Sequence, residues 1–97
     1  APSLGTEEST TSAGADSTHT ILNLPTSLPY GMAYMAQSGA SEADVDYGEK
    51  LSSGWTEVQN GASLTTASGQ TISVALVNKT KENAAVALGS ASAVVGA

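Results

Sequence analysis

Trp55-Thr56-Glu57-Val58-Gln59-Asn60-Gly61-Ala62-Ser63-Leu64-Thr65-Thr66, followed beyond Ser68-Gly69 by Gln70-Thr71-Ile72-Ser73-Val74-Ala75-Leu76-Val77-Asn78, is the stretch on which the fold turns. Asn-Gly supplies the two positive φ angles of a type I′ turn, so residues 55–66 are predicted to fold back as a hairpin of two short strands. Ser68-Gly69 makes the next turn. Ile72, Val74 and Leu76 then alternate with Thr71, Ser73 and Ala75, the period of a strand with one apolar face.

Working outward, Thr18–Leu24 carries Ile21, Leu22 and Leu24 and is stopped by Pro25. Tyr30–Ser38 sets Met32, Tyr34 and Ala36 on one face and Ala33 and Met35 on the other. Ala40–Glu49 is acidic, with Val45 and Tyr47 one residue apart, and reads as a short edge strand or a loop. Lys79–Asn83 is a polar connection. Ala84–Val95 is a closing strand with Val86, Leu88 and Val94 at even spacing and a bulge or bend expected at Gly89. Its rival is an alanine-rich helix, weakened by Gly89, Ser90 and Ser92. Six or seven short strands, each followed by a turn, predict an all-β antiparallel sandwich over residues 18–97.

Residues 1–17 contain one large apolar side chain, Leu4, and are rich in Ser and Thr. Alone, such a segment buries too little surface to fold and reads as a tail or linker. Ordered against a partner, it becomes an extended arm that adds main-chain hydrogen bonds to a neighbour's sheet edge. Leu4, Thr6, Thr10 and Thr11 are the candidate contact residues of that arm.

Composition limits function. The chain has 97 residues, nine Asp and Glu against three Lys and no Arg, for a net charge of −6. Three scattered lysines cannot replace the counterions of a nucleic acid, and an anionic membrane surface repels such a chain. Without cysteine there is no disulfide and no thiolate metal site. The longest near-apolar run, Ala84 to Leu88, is far short of the ~20 residues of a membrane-spanning helix. A start at Ala1 suits either a mature secreted chain or a cytoplasmic product that has lost its initiator Met. Ala, Ser, Thr and Gly make up more than half of the chain. A core so thin predicts support from neighbours: a homo-oligomer, a lattice or adjacent modules.

Gly54-Trp55, Asn60-Gly61, the run from Ser68 to Val77 and the final Val94-Val95 resemble the immunoglobulin-like modules of phage virions and bacterial surface proteins. The resemblance covers under half of the chain and excludes the antibody-type subgroup, whose cysteine pair is missing. It implies a role in display, decoration or adhesion, and it carries no catalytic residue onto any position here.

Several constellations are weighed on their chemistry. Glu42, Asp44, Asp46 and Glu49 place hard oxygen ligands at nearly alternate positions ahead of or beside Gly48, matching part of a calcium loop. Gly48 occupies a ligand position, however, and the closing Glu is missing, so a solvated acidic loop is the expectation. His19 and Asp16 could belong to a hydrolase triad, but no nucleophile-elbow pattern accompanies them. Asn78-Lys79-Thr80 is a glycosylation sequon, and Lys50, Lys79 and Lys81 are candidates for Lys–Asn cross-links, both by chance-level motifs. Trp55 and Tyr34 are expected in the core, with Met32 and Met35 as filler; two or three exposed aromatics would instead make a sugar-stacking platform.

The reading is therefore a non-enzymatic structural protein with no cofactor. The favoured setting is a virion surface, as a capsid-decoration or fibre-base component bound to a protein lattice. The alternatives are a bacterial cell-surface adhesin or spacer, and a carbohydrate-binding module with glycan partners. The expected location is a virion surface or the extracellular cell surface.

Overall fold

The computed structural model describes residues 4–7, 9–26, 28, 30–52 and 54–96. Its strands are β1 (Gly5–Thr6), β2 (Thr10–Ala13), β3 (His19–Asn23), β4 (Met32–Gly39), β5 (Thr56–Val58), β6 (Ala62–Thr65), β7 (Thr71–Asn78) and β8 (Ala84–Ser92). A 3-10 turn, Lys79–Lys81, joins the last two, started by the Asn78 side chain, which accepts from the Thr80 amide. Five strands form one sheet in the order β1-β8-β7-β4-β5, and three form a second in the order β2-β3-β6. The chain is thus an all-β sandwich. Every strand pair is antiparallel except β1–β8, which is parallel.

Between the sheets lie Leu22 and Leu24 from β3 and its end, facing Tyr34 and Ala36 of β4, Ile72 and Val74 of β7, and Val58 of β5. The period-two reading of β7 located this face, apart from Leu76, which is only half-buried. It missed the other. Ala33, Met35, Ala75, Val77 and Ala85 form a second buried cluster with Val45 and Leu51. The five-stranded sheet is therefore covered on both sides, by the small sheet on one and by Ala43, Val45, Leu51 and Trp55 on the other. Strands buried on both faces lose the polar alternation of a half-exposed strand, and β4 and β7 each hold four consecutive buried residues.

The segment expected as a solvated acidic loop is consequently a strap. Its carboxylates Glu42, Asp44, Asp46 and Glu49 are exposed, yet Val45 and Leu51 are buried between them and just beyond them. Its backbone is tied down at both ends. The Ala43 amide donates to Ser73 Oγ at 2.8 Å. The Gly48 amide donates to the Ala85 carbonyl at 2.7 Å, and Leu51 N to Asn83 O at 3.1 Å.

The Asn60-Gly61 corner also differs from the expectation. Gly61 has φ 86°, whereas Asn60 is not among the residues with positive φ. With one left-handed residue the Gln59–Ala62 turn lacks the type I′ form. Turns without that twist splay the strands they join. Accordingly β5 pairs with β4 in the large sheet and β6 with β3 in the small one, so the corner bridges the sheets instead of closing a hairpin. It is anchored there by Leu24 N donating to Asn60 Oδ1 at 2.9 Å and Gly61 N donating to Leu22 O at 2.8 Å.

Residues 84–92 are a strand, as read, and not a helix. The irregularity lies at Val86, where the register steps from Leu76↔Ala87 to Val77↔Ala85. Gly89 has a different reason: a Cβ there would stand 1.7 Å from the Glu7 carbonyl oxygen. The described part of residues 1–17 supplies β1 and β2, edge strands of the two sheets, so it is paired within its own chain. Backbone hydrogen bonds hold it without an apolar side, which is why its composition carries no burial signal.

Candidate functional site

The chain crosses from the large sheet to the small one between β1 and β2, and this crossing brings the arm residues to one side of the sandwich. Leu4 packs half-buried on the second cluster. Thr6 and Thr10 are exposed and line one open cleft together with Glu7, Ser9, Leu88, Gly89 and Ser90, and with Glu42 from the strap. Thr11 stands apart from the cleft and turns its hydroxyl to the Ser92 carbonyl, closing the sandwich on this side. The four predicted contact residues are thus on one side, but only Thr6 and Thr10 share an opening. Ser9, which the sequence did not single out, has its hydroxyl buried there without a hydrogen-bond partner among the described residues.

Glu7 is the hinge pin of the crossing. Its amide donates to Leu88 O at 3.0 Å, and its Oε1 accepts from the Tyr34 hydroxyl at 3.2 Å. Burial, then the Glu7 charge and the hydrogen bond to it, push the Tyr34 phenol up to about 12 from its ordinary 10. A raised folded-state pKa means that the folded protein keeps a proton the unfolded chain releases. The resulting stability is complete below pH 10 and is lost as pH rises from 10 to about 12. Denaturant melts across that window should show this slope in the wild type and a weaker one in Tyr34→Phe; equal slopes would refute it.

The acidic residues do not assemble into a metal centre. Among the described residues no group of three His, Cys, Asp or Glu side chains is placed to hold an ion. Asp44 and Asp46 flank buried Val45, Glu42 joins the arm cleft, and Glu49 Oε1 accepts from the Asp46 amide at 3.1 Å. Millimolar calcium should leave the melting temperature unchanged, because an ion that bound only the folded state would raise it. A clear rise would restore the calcium reading.

His19 and Asp16 do meet, at 2.8 Å between Nδ1 and Oδ1. The nearest hydroxyl, Thr18 Oγ1, lies 3.0 Å from the same Nδ1 and 2.6 Å from the same carboxylate oxygen. A relay needs its nucleophile at the other ring nitrogen; this cluster instead closes a local turn. The Thr18 hydroxyl, then the His19 ring and the Thr18 amide, hold the Asp16 carboxyl well below the usual carboxylate range. Gly96 N donates to Asp16 O at 2.8 Å and joins the C-terminal segment to this turn.

The aromatics divide. Tyr34 is buried and Trp55 is half-buried against the strap cluster. Tyr30 is fully exposed, and Tyr47 is about half exposed beside a groove lined by Lys50, Asn78, Lys81, Ala84 and Val86. Asn78 and Thr80 of the sequon are bonded to each other, Oγ1 to Oδ1 at 2.6 Å. Lys50 and Lys79 make exposed ion pairs with Glu82 at 2.7 Å and Glu57 at 2.8 Å.

Compared with protein-family models, with curated proteins and with solved structures, the chain matches none of them.

Proposed function

We propose that this protein is a non-enzymatic attachment module of the immunoglobulin-like kind, serving at a virion surface as a capsid-decoration or fibre-base component that binds a protein lattice. The observation that carries this reading is the arm side of the sandwich. Thr6 lies there in β1 and Thr10 and Thr11 in β2, the edge strands of the two sheets, with Leu4 just ahead of β1, and a sheet edge is a template for another chain's strand.

The immunoglobulin-like reading is supported by strand order. β2-β3-β6 falls in the positions of strands A, B and E, and β8-β7-β4-β5 in those of G, F, C and C′. Leu22, Tyr34 and Val74, from the B, C and F positions, share the inter-sheet cluster. They take the place of the disulfide and tryptophan of antibody domains.

Because β1 and β2 belong to the sheets, deleting residues 1–17 would injure the fold as well as the contact. The cleaner test is the pair Thr6→Glu and Thr10→Glu, both at exposed positions. Cosedimentation with shells assembled from the products of neighbouring genes should be lost in the double variant, with the melting temperature little changed. Undiminished binding would overturn the reading. One observation favours the carbohydrate alternative: exposed Tyr47 beside its groove. Quenching of tyrosine emission by a polysaccharide, abolished in Tyr47→Ala, would support that alternative in its place.

A further inference from the structure

The four sheet edges are not guarded alike. β1 is two residues long. β2 lies beside the chain's own crossing and is tied through Thr11 to Ser92. β5 carries Glu57, ion-paired with Lys79. β6 has none of these devices: Ala62-Ser63-Leu64-Thr65 contains no charge, no proline and no bulge. It edges a sheet whose strands hold no Asp, Glu, Lys or Arg, in a chain of net charge −6. Two copies therefore approach with least repulsion through this sheet.

The hydrogen-bond phase limits how they would meet. Thr66 N donates to Thr18 O at 2.9 Å, which makes Thr18 and Thr66 a hydrogen-bonded pair in the register Thr20↔Leu64 and Leu22↔Ala62. Alternate residues alternate in direction. The backbone groups of Leu64 thus face β3, and those of Ser63 and Thr65 face the open edge, while the Ala62 amide turns back to Gln59 O at 3.0 Å. In a two-fold antiparallel join, side chains opposite one another must share a face. Setting Leu64 opposite its own copy meets both conditions. Ser63 of each chain then exchanges two backbone bonds with Thr65 of the other. The half-buried Leu64 side chains meet on the inner face, and the hydroxyls of Ser63 and Thr65 meet on the outer one.

We infer that β6 is a dimerisation edge, pairing antiparallel with β6 of a second copy about the Leu64 position to make one continuous six-stranded sheet. The proposal rests on the attachment reading in treating sheet edges as this protein's contacts, and it leaves the arm side free for the lattice. The two can fail separately, because the dimer is measured on the purified chain with no lattice present.

Sedimentation velocity of the full chain should show a concentration-dependent dimer. The variant S63K/T65K sets lysines opposite each other across the join and should weaken association by at least about tenfold. The variant S63K/T65E sets Lys opposite Glu in the same register and should keep the dimer. Both changes lie at exposed positions, and circular dichroism confirms that each variant is folded. A monomeric wild type, a dimer that persists in S63K/T65K, or loss in both variants would overturn the proposal.

Discussion

Replacing Leu51 with alanine is expected to destabilise the protein by about 2–5 kcal/mol, the range for emptying a buried leucine site. Leu51 is 2% exposed and sits in no strand. It is the largest fully buried side chain by which the strap covers the outer face of the large sheet, in contact with a cluster built mainly from Ala and short aliphatics. Small neighbours cannot swell to refill the space, so the cavity cost adds to the transfer cost. For a domain of this size that loss corresponds to a fall in melting temperature of roughly 10 °C or more. Asp44→Ala, a few residues away and exposed, serves as the comparison, because surface changes usually stay within about 0.5 kcal/mol. Equal effects from the two substitutions would show that the strap is a solvated loop after all.

Gly89→Val is expected to detach the arm. A Cβ at residue 89 would lie 1.7 Å from the Glu7 carbonyl oxygen and 2.8 Å from its carbon, both backbone atoms that no rotamer change can move. The crossing must leave, and with it go the Glu7–Leu88 bond, the Tyr34–Glu7 bond and the pairing of β1. Forced displacement of packed backbone costs about 1–3 kcal/mol or more. Three readouts should move together: the melting temperature falls, the amides of β1 and β2 lose hydrogen-exchange protection, and the Tyr34 phenol titrates nearer its ordinary 10 than about 12. Because the valine leaves the Val74↔Gly89 pairing in place, the β7–β8 ladder should remain protected. Retention of arm protection and of the high Tyr34 titration would contradict this account.

The two substitutions mark where sequence reading stopped. Alternation located β3, β4, β7 and β8 because each presents at least one regular apolar face, and Pro25 and Gly69 punctuated them. β1 and β2 carried no such signal. They are held by main-chain bonds and by the room that Gly89 leaves, and a glycine in a run of Ala, Val and Ser looks the same whether it relieves a bulge or admits another strand. Asn60-Gly61 was legible as a corner but not as a crossing between sheets. Both turn types accept that dipeptide, and the choice depends on where Leu22 and Leu24 offer partners. Among the candidate site residues, Thr6 and Thr10 were brought together by the crossing. Glu42 went to the arm cleft and Glu49 to the Asp46 amide, so the four carboxylates do not converge.

The sequence by itself determined that this chain builds short strands with a net negative charge, since side-chain period and charge are local properties that no packing can alter. Only the tertiary structure decided which strands share a sheet, that the acidic segment covers a second apolar face, and that the arm closes its own sandwich. Those outcomes depend on contacts between residues far apart in the chain, where the deciding quantity is the space and the unpaired backbone that one segment leaves for another.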